Sequence, residues 1–285
     1  MNIAKATYCV RKVCTVLFVI LLAFCLSWPL ASIAKKRALL IGISHYPQTT
    51  RNNPCTWTNI HGSNDVRLLR GTLQKQGFRI TTLTHAQATA SHIRRALKRL
   101  CQQAAKGDMV VIHFSVHFAT HGFAISTMQQ YDNSPFAQSR TAFTPNGNYM
   151  MWSGLVLAGG NNAWQCKPLP KGVEDGILTA DEISRLDLSH TRLVVLSACE
   201  TARGHIENTD GVWGLQRAFK QAGAGTIVMT LWKVSDETTC MFMTEFYRQL
   251  ANGLNTRQAL KRARTYLIEQ GATDPYYWAA FVAMD

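Results

Sequence analysis

Short apolar runs alternate with helical patterns along most of the chain, and this alternation restricts the fold more than any other feature. Six runs have the length and composition of buried strands, and they cover residues 37–43, 79–83, 109–114, 193–196, 226–231 and 277–284. Helical spacing of apolar residues predicts helices over residues 64–76, 89–105, 211–222, 235–250 and 256–269. Because most of the strands are apolar on both faces, the pattern predicts a mostly parallel six-stranded sheet with helices on both faces.

The segment between the third and fourth predicted strands has a different character. Residues 122–176 contain a polar tract and one short apolar piece at residues 155–158, and we expect a long irregular region there. A short helix is predicted over residues 179–186, because Thr179 and Glu182 have the spacing of a capping box.

The first 34 residues resemble a leader. Lys5, Arg11 and Lys12 precede an apolar run, and small residues at Ser32 and Ala34 follow it. This order is typical of a secretory signal cleaved before Lys35, so we expect an exported protein with a mature domain over residues 35–285. The alternative is an uncleaved membrane anchor through residues 13–30, although its apolar core is short for a spanning helix.

The cysteines indicate a free thiol in the mature chain. Three of the eight cysteines lie in the leader, and an odd number remains, so at least one is unpaired. Cys55 and Cys166 lie in loop-like sequence and are candidates for a disulfide, which the sequence alone does not establish. Cys101 and Cys240 lie in helical patterns and are expected to be buried. Since no CxxC pair or zinc-type spacing of histidines is present, we predict neither a metal site nor a cofactor.

The formal net charge is +13, which favours acidic partners in general. The basic residues are scattered over the predicted helices rather than interleaved with aromatic residues, as in residues 94–99. We therefore do not expect nucleic-acid binding. A membrane contact is expected only if the leader stays uncleaved.

Two residues that can carry chemistry follow the third and fourth predicted strands. Cys199 follows the fourth strand in the stretch LVVLSACETA, and His121 follows the third strand between Thr120 and Gly122. The carboxyl ends of parallel strands lie at one edge of the sheet, where functional groups of such folds gather. If the two strands are neighbours, the sequence predicts a thiol nucleophile paired with an imidazole base.

His117 is an alternative base. The stretch HFSV at residues 113–116 is echoed by HFAT at residues 117–120, so the end of the third strand can be counted in two ways. A strand fixes side-chain direction with a period of two, and His113, His117 and His121 would share one face if the strand ran that far.

Several longer stretches occur in an order that resembles the CHAT domain, a caspase-like domain usually joined to tetratricopeptide repeats. They are HFATHGF, SGLVLAG, DGILTADEI, LVVLSACETARG, GVWGLQRAF, AGAGTIVMTLWKVSDE and DPYYWAAFV. This resemblance covers about residues 110–285, while residues 36–108 resemble the amino-terminal half of caspase-type enzymes. The wider superfamily includes caspases, metacaspases and gingipains.

The resemblance implies a caspase–hemoglobinase sheet with strand order 2-1-3-4-5-6, in which the third and fourth strands are neighbours. It implies a cysteine endopeptidase with Cys199 as nucleophile and His121 as base. It also implies an oxyanion hole made by the backbone amides of Gly122 and Cys199. The partner would be a peptide or protein substrate, and any tetratricopeptide-repeat partner would be a separate chain.

The chain departs from the family pattern at Ala202, where glycine commonly follows SACET. The alternative function is therefore a caspase-like scaffold or interaction module with weak or no catalysis. The doubled HFSVHFAT stretch keeps His117 open as the base, because counting from residues 107–108 favours His117 whereas the HFATHGF match favours His121.

Substrate-binding candidates come from the acids and an aromatic residue near the predicted site. A cleft that accepts a basic residue before the cut needs an acid, and Asp236, Asp65 and Glu200 are candidates. Asp236 could instead stabilise the amino end of the next helix. Trp232 is expected to form a wall of the cleft or part of the core rather than to act in catalysis.

Overall fold

The computed structural model describes residues 34–46, 59–120, 153–160, 176–197, 210–232 and 234–285. Residues Lys35–Asp285 form one compact unit. The predicted leader up to residue 33, Cys55 and Cys166 lie outside the described residues. Within the described part, no helix has both the length and the apolar character needed to cross a membrane.

The central sheet contains six strands in the order β2-β1-β3-β7-β8-β9. The first five are mutually parallel, and β9 runs antiparallel to β8. This arrangement confirms the predicted fold class and the strand order. The six strands are β1 (Lys36–Gly42), β2 (Arg79–Thr84), β3 (Met109–Ser115), β7 (Leu193–Leu196), β8 (Thr226–Thr230) and β9 (Phe281–Met284).

Helices cover both faces of this sheet because the strands are apolar on both sides. Leu39 of β1 belongs to one buried cluster and Leu40 to the other, since successive strand residues point to opposite faces. On the Leu40 side lie α1 (Gly62–Lys75), α5 (Asp236–Ala251) and α6 (Thr256–Glu269), and on the Leu39 side lie α2 (Ala90–Gln103) and α4 (Asp210–Gln221). These five helices confirm the predicted ones to within a few residues at each end.

The expectation of a long irregular region over residues 122–176 is wrong at residues 153–156, and most of that segment lies outside the described residues. These four residues belong to a second, smaller sheet. It consists of β4 (His117–Thr120), β5 (Ser153–Val156) and β6 (Ile177–Thr179), paired antiparallel in that order. The four residues of β5 are buried, which explains the short apolar piece in the sequence. The pairing partners are far apart along the chain, so no local hairpin signal marks this sheet.

The short helix α3 (Ala180–Ser184) begins as predicted. The side chain of Thr179 accepts from the backbone N–H of Glu182, and the Glu182 carboxylate accepts from the backbone N–H of Thr179. This capping box fixes the junction between β6 and α3.

The start of the sixth predicted strand was wrong. Residues Pro275–Trp278 form a helical turn, α7, and the strand begins only at Phe281. The side chain of Asp274 accepts from the backbone N–H of Tyr276 at 2.8 Å, and Pro275 occupies the first helical position. An Asp followed by Pro is a helix-start signal, and it overrides the strand propensity of the aromatic residues that follow.

Candidate active site

The carboxyl ends of β1, β3, β7 and β8 meet at one edge of the sheet, and helix α1 begins directly on this edge. A Cβ atom at Gly62 would lie 2.2 Å from the Ser115 carbonyl oxygen, and one at Gly42 would lie 2.2 Å from the Gly62 carbonyl oxygen. Only glycine permits such close approach. The first turn of α1 is thereby held against the ends of β1 and β3.

Asp65 lies in this first turn and is half-buried beside the end of β3. The Ser115 hydroxyl donates to Oδ2 of Asp65 at 2.6 Å. Burial raises the pKa of Asp65 to about 6 from an ordinary 3.8; the Ser115 hydrogen bond opposes this rise, the Asp236 carboxylate adds to it, and His61 opposes it. Asp65 therefore exchanges its proton close to neutral pH.

Asp236 is the first residue of α5, which packs beside α1. Its carboxylate is hydrogen-bonded to Nδ1 of His61, the residue that precedes α1. The side chain of Ser235 caps α5 by accepting from the backbone N–H of Thr238 at 3.2 Å. Asp236 thus has the helix-stabilising position considered from the sequence, and it also lies close enough to Asp65 to influence that residue's pKa.

A narrow cavity lies between α1 and α5 below this edge. It is lined by Asp65, Leu69, His113, Ser197, Thr239, Cys240 and Met243. The gap between these residues is too narrow for a water molecule. Ser197 is one of the lining residues, and Cys199 follows it by two residues in the sequence.

The cysteines that the structure describes are not activated thiols. Cys101 and Cys240 are unpaired and half-buried in α2 and α5, rather than fully buried as expected. Burial raises the pKa of both thiols, and negative charge on a nearby aspartate adds to the effect in each case. Neither is therefore suited to act as a nucleophile at neutral pH.

The three histidines of the HFSVHFATH stretch do not share one strand. β3 ends at Ser115, and β4 begins at His117 in the other sheet. His113 is fully buried, its Nδ1 is hydrogen-bonded to the Tyr247 hydroxyl at 3.0 Å, and burial lowers its pKa to about 3. His113 therefore stays neutral and inside the core.

His117, the alternative base, has 0% of its surface exposed. Its ring lies edge-on to the Tyr46 ring at 4.8 Å between centroids, and its backbone N–H donates to the Tyr46 hydroxyl at 3.3 Å. The same hydroxyl donates to the Val156 carbonyl at 3.3 Å and so links β4 and β5.

The remaining catalytic candidates lie outside the described residues. These are His121, Gly122, Cys199 and Glu200. The described residues stop at Thr120, directly before His121, and at Ser197, two residues before Cys199. The Ser197 N–H donates to the Phe114 carbonyl at 2.8 Å, so the chain is still bound to β3 two residues before Cys199.

Trp232 is half-buried just after β8 and belongs to an aromatic group at the same edge of the sheet. Its indole N–H donates to the Tyr276 carbonyl at 2.8 Å, and the two rings stack at 6.3 Å between centroids. Leu231 and Tyr276 next to it are 44% and 50% exposed. Trp232 is therefore available as a wall for a substrate at this edge.

Sequence reasoning missed His61 and Ser115 as parts of the site. Ser115 follows the predicted third strand directly and carries no other signal, and His61 precedes its helix without the residue type that usually caps one. Their partners Asp236 and Asp65 are 175 and 50 residues away along the chain. In the part of the chain that the structure describes, no group of three or more histidine, cysteine, aspartate or glutamate side chains could hold a metal ion.

A family model for the CHAT domain matches residues 11–285. The chain belongs to the CHAT domain family. This finding confirms the resemblance that the sequence motifs indicated, and with the sheet order above it gives the caspase-like scaffold.

Two relatives carry the name tetratricopeptide repeat protein 28. The human protein is 30% identical over 176 residues, which is 60% of this chain and 7% of that protein. The mouse protein is 37% identical over 117 residues, which is 41% of this chain and 4% of that protein. The chain therefore spans only a small part of the length of these relatives.

Two solved structures that resemble this chain have low sequence identity to it. A protein from Geobacter sulfurreducens gives a TM-score of 0.44 with 15% identity, covering 81% of this chain and 89% of its own. The Arg-specific cysteine proteinase gingipain R gives a TM-score of 0.46 with 11% identity, covering 87% of this chain and 45% of its own.

Proposed function

We propose that the protein is a cysteine endopeptidase that hydrolyses peptide bonds through Cys199 and a histidine base. One observation carries the proposal. The strand that leads to Cys199 lies directly beside β3, which leads toward the histidines, and both strands end at the edge where two carboxylates gather. A thiol and an imidazole at one edge are the components that a cysteine peptidase needs, and an acidic pocket beside them would accept a basic residue.

In the proposed reaction, His121 takes the proton of the Cys199 thiol, and the thiolate attacks the peptide carbonyl carbon. The backbone amides of Gly122 and Cys199 donate to the oxyanion that forms. The imidazolium then protonates the leaving amine, the C–N bond breaks, and a thioester remains. Water activated by the same imidazole hydrolyses the thioester and restores the thiol.

His121 is preferred as the base because the imidazole has to reach both the thiol and the substrate. The His117 ring is enclosed by the core around Tyr46, which argues against it. One observation favours His117: Phe114 and Leu196 are paired across β3 and β7, and His117 and Cys199 each lie three residues beyond that pair. The two assignments predict different variant kinetics, given in the Discussion.

We propose that the peptidase prefers a basic residue on the amino side of the cut bond. Asp65 lines the cavity under the site, and the Asp236 carboxylate lies close enough to raise the pKa of Asp65. A guanidinium or ammonium group would neutralise these two acids. Glu200 is a third candidate because it follows the nucleophile directly. Trp232 and its aromatic neighbours would form a wall for the peptide near this pocket.

The second candidate is a caspase-like scaffold without turnover. Ala202, in place of the family's usual glycine after SACET, favours this candidate because it changes the turn that follows the nucleophile. Tetratricopeptide repeats are the proposed partner in either case, given the name of the relatives. We also propose that the protein acts outside the cytoplasm, on the basis of the leader sequence.

The test is digestion of a positional peptide library by the wild type and by Cys199→Ala. Cleavage after arginine or lysine that is absent from the variant supports the peptidase. A folded wild type that cleaves no peptide, with or without a repeat-protein partner, favours the scaffold. Fold integrity is checked by circular dichroism in both proteins.

A further inference from the structure

His61 precedes α1 at a position where its side chain does nothing for its own helix. Ser, Thr, Asp and Asn are preferred there because their side-chain oxygens accept from a helix N–H group. The His61 side chain makes no such capping bond, and 63% of it is exposed. Local helix stability therefore gives no reason for histidine at this position.

The contact that the ring does make lies across the gap between two helices. Nδ1 of His61 is hydrogen-bonded to Oδ2 of Asp236 at the start of α5. The backbone carbonyl of His61 accepts from the N–H of Asp65 at 3.0 Å, so the ring lies one turn before the Asp65 carboxylate on the same helix. The imidazole thus contacts one acid of the proposed pocket, Asp236, and lies at the start of the helix that carries the other, Asp65.

The carboxylates of Asp65 and Asp236 repel each other. Asp236 raises the pKa of Asp65 by repulsion, and His61 acts in the opposite direction. The Ser115 hydroxyl fixes Asp65 at 2.6 Å, whereas the Asp236 side chain is 32% exposed. Of the two acids, Asp236 is the one whose carboxylate the His61 ring contacts.

We infer that His61 is a specificity-determining positioning residue, which holds Asp236 beside Asp65 so that both carboxylates receive one basic substrate side chain. This inference rests on the proposed function and deepens it. A hydrogen-bond donor at the place of Nδ1 is what the role requires. Asparagine can supply such a donor from a similar position, and alanine cannot.

The test measures binding of a cation separately from turnover. Agmatine, which carries the guanidinium of an arginine side chain, is titrated by calorimetry into the Cys199→Ala protein and into the same protein with a second substitution. We expect at least fivefold weaker binding with His61→Ala, binding within twofold of the parent with His61→Asn, and no measurable binding with Asp65→Asn. Because His61 is exposed, the His61 variants should keep the parent's melting temperature.

A parallel readout uses the active protein and two peptides that differ only in arginine or glutamine before the cut. His61→Ala should lower kcat/KM for the arginine peptide at least fivefold, through KM, and leave the glutamine peptide unchanged. Unchanged agmatine binding in His61→Ala, or an equal loss on both peptides, overturns the inference about His61. Agmatine binding without any peptide cleavage overturns the proposed function and leaves the two-carboxylate site in place.

Discussion

The Ser197 N–H donates to the Phe114 carbonyl at 2.8 Å, one residue beyond the last ladder pair between β7 and β3. This bond keeps the chain that leads to Cys199 against the strand that leads to the histidines. The hydrogen bond from Ser115 to Asp65 lies next to it on the same strand. The segment that leads to Cys199 and the Asp65 carboxylate are therefore both hydrogen-bonded to the end of β3.

Replacing Asp65 by asparagine should stabilise the protein at high pH. The pKa of Asp65 is about 6 in the folded chain and 3.8 ordinarily, so the folded state binds more protons between these values. The free energy of unfolding of the wild type therefore falls as pH rises through this window. Asp65→Asn removes that loss and should gain up to about 3 kcal/mol at pH 8, and nothing near pH 3.

Urea unfolding at both pH values measures this effect. Asparagine can still accept from the Ser115 hydroxyl, so the hydrogen bond is retained in the variant. An equal change in stability at pH 3 and pH 8 contradicts the raised pKa.

The preference for a basic residue should depend on pH through Asp65. Protonation below about pH 6 removes one of the two negative charges of the pocket. The ratio of kcat/KM for arginine and glutamine peptides should fall about fivefold to tenfold from pH 7 to pH 5, since kcat/KM reports the free enzyme. Using the ratio cancels titration of the catalytic pair, which both peptides share.

The Asp65→Asn protein is the matched control for this pH dependence. Its ratio should be low and flat with pH. A ratio that still falls with acid in this variant assigns the pH dependence to a different group.

The two candidate bases should separate in variant kinetics. His121→Ala should lower kcat at least a hundredfold, because the thiol and the leaving group then lack their proton carrier. His117→Ala should leave kcat within about tenfold but lower the melting temperature, because His117 is packed against Tyr46 in the core. The reverse pattern, in which the His117 variant folds but is inactive and the His121 variant is active, assigns the base to His117.

Gly62 and Gly71 in the same helix should respond in opposite directions to alanine. A Cβ at Gly62 would meet the Ser115 carbonyl at 2.2 Å, so Gly62→Ala should cost about 2–4 kcal/mol or prevent folding. A Cβ at Gly71 meets nothing within 4 Å, and Gly71→Ala should gain about 0.5–1 kcal/mol from helix propensity. Thermal unfolding of the two variants compares them directly.

If Gly62→Ala is as stable as the wild type, helix α1 is not pressed against β3 as described. The acid pocket would then lack the fixed first turn on which it depends.

Most of the sheet could be predicted from the sequence because most of its strands are apolar on both faces and alternate with helix signals. The small second sheet could not, since β5 pairs with segments far away along the chain and carries no turn signal. Asp65 and Asp236 could be proposed as pocket acids from the family motifs. Their link through His61 could not, because it depends on how α1 and α5 pack.

The role of Cys199 as nucleophile is tested most directly by the mass of the protein after reaction with a peptide chloromethylketone that ends in arginine. We expect one added inhibitor mass on the wild type, located on Cys199, and none on Cys199→Ala. Labelling should be slowed by Asp65→Asn and by agmatine. Equal labelling of the Cys199→Ala protein, or labelling located on Cys101 or Cys240, would exclude Cys199 as the nucleophile.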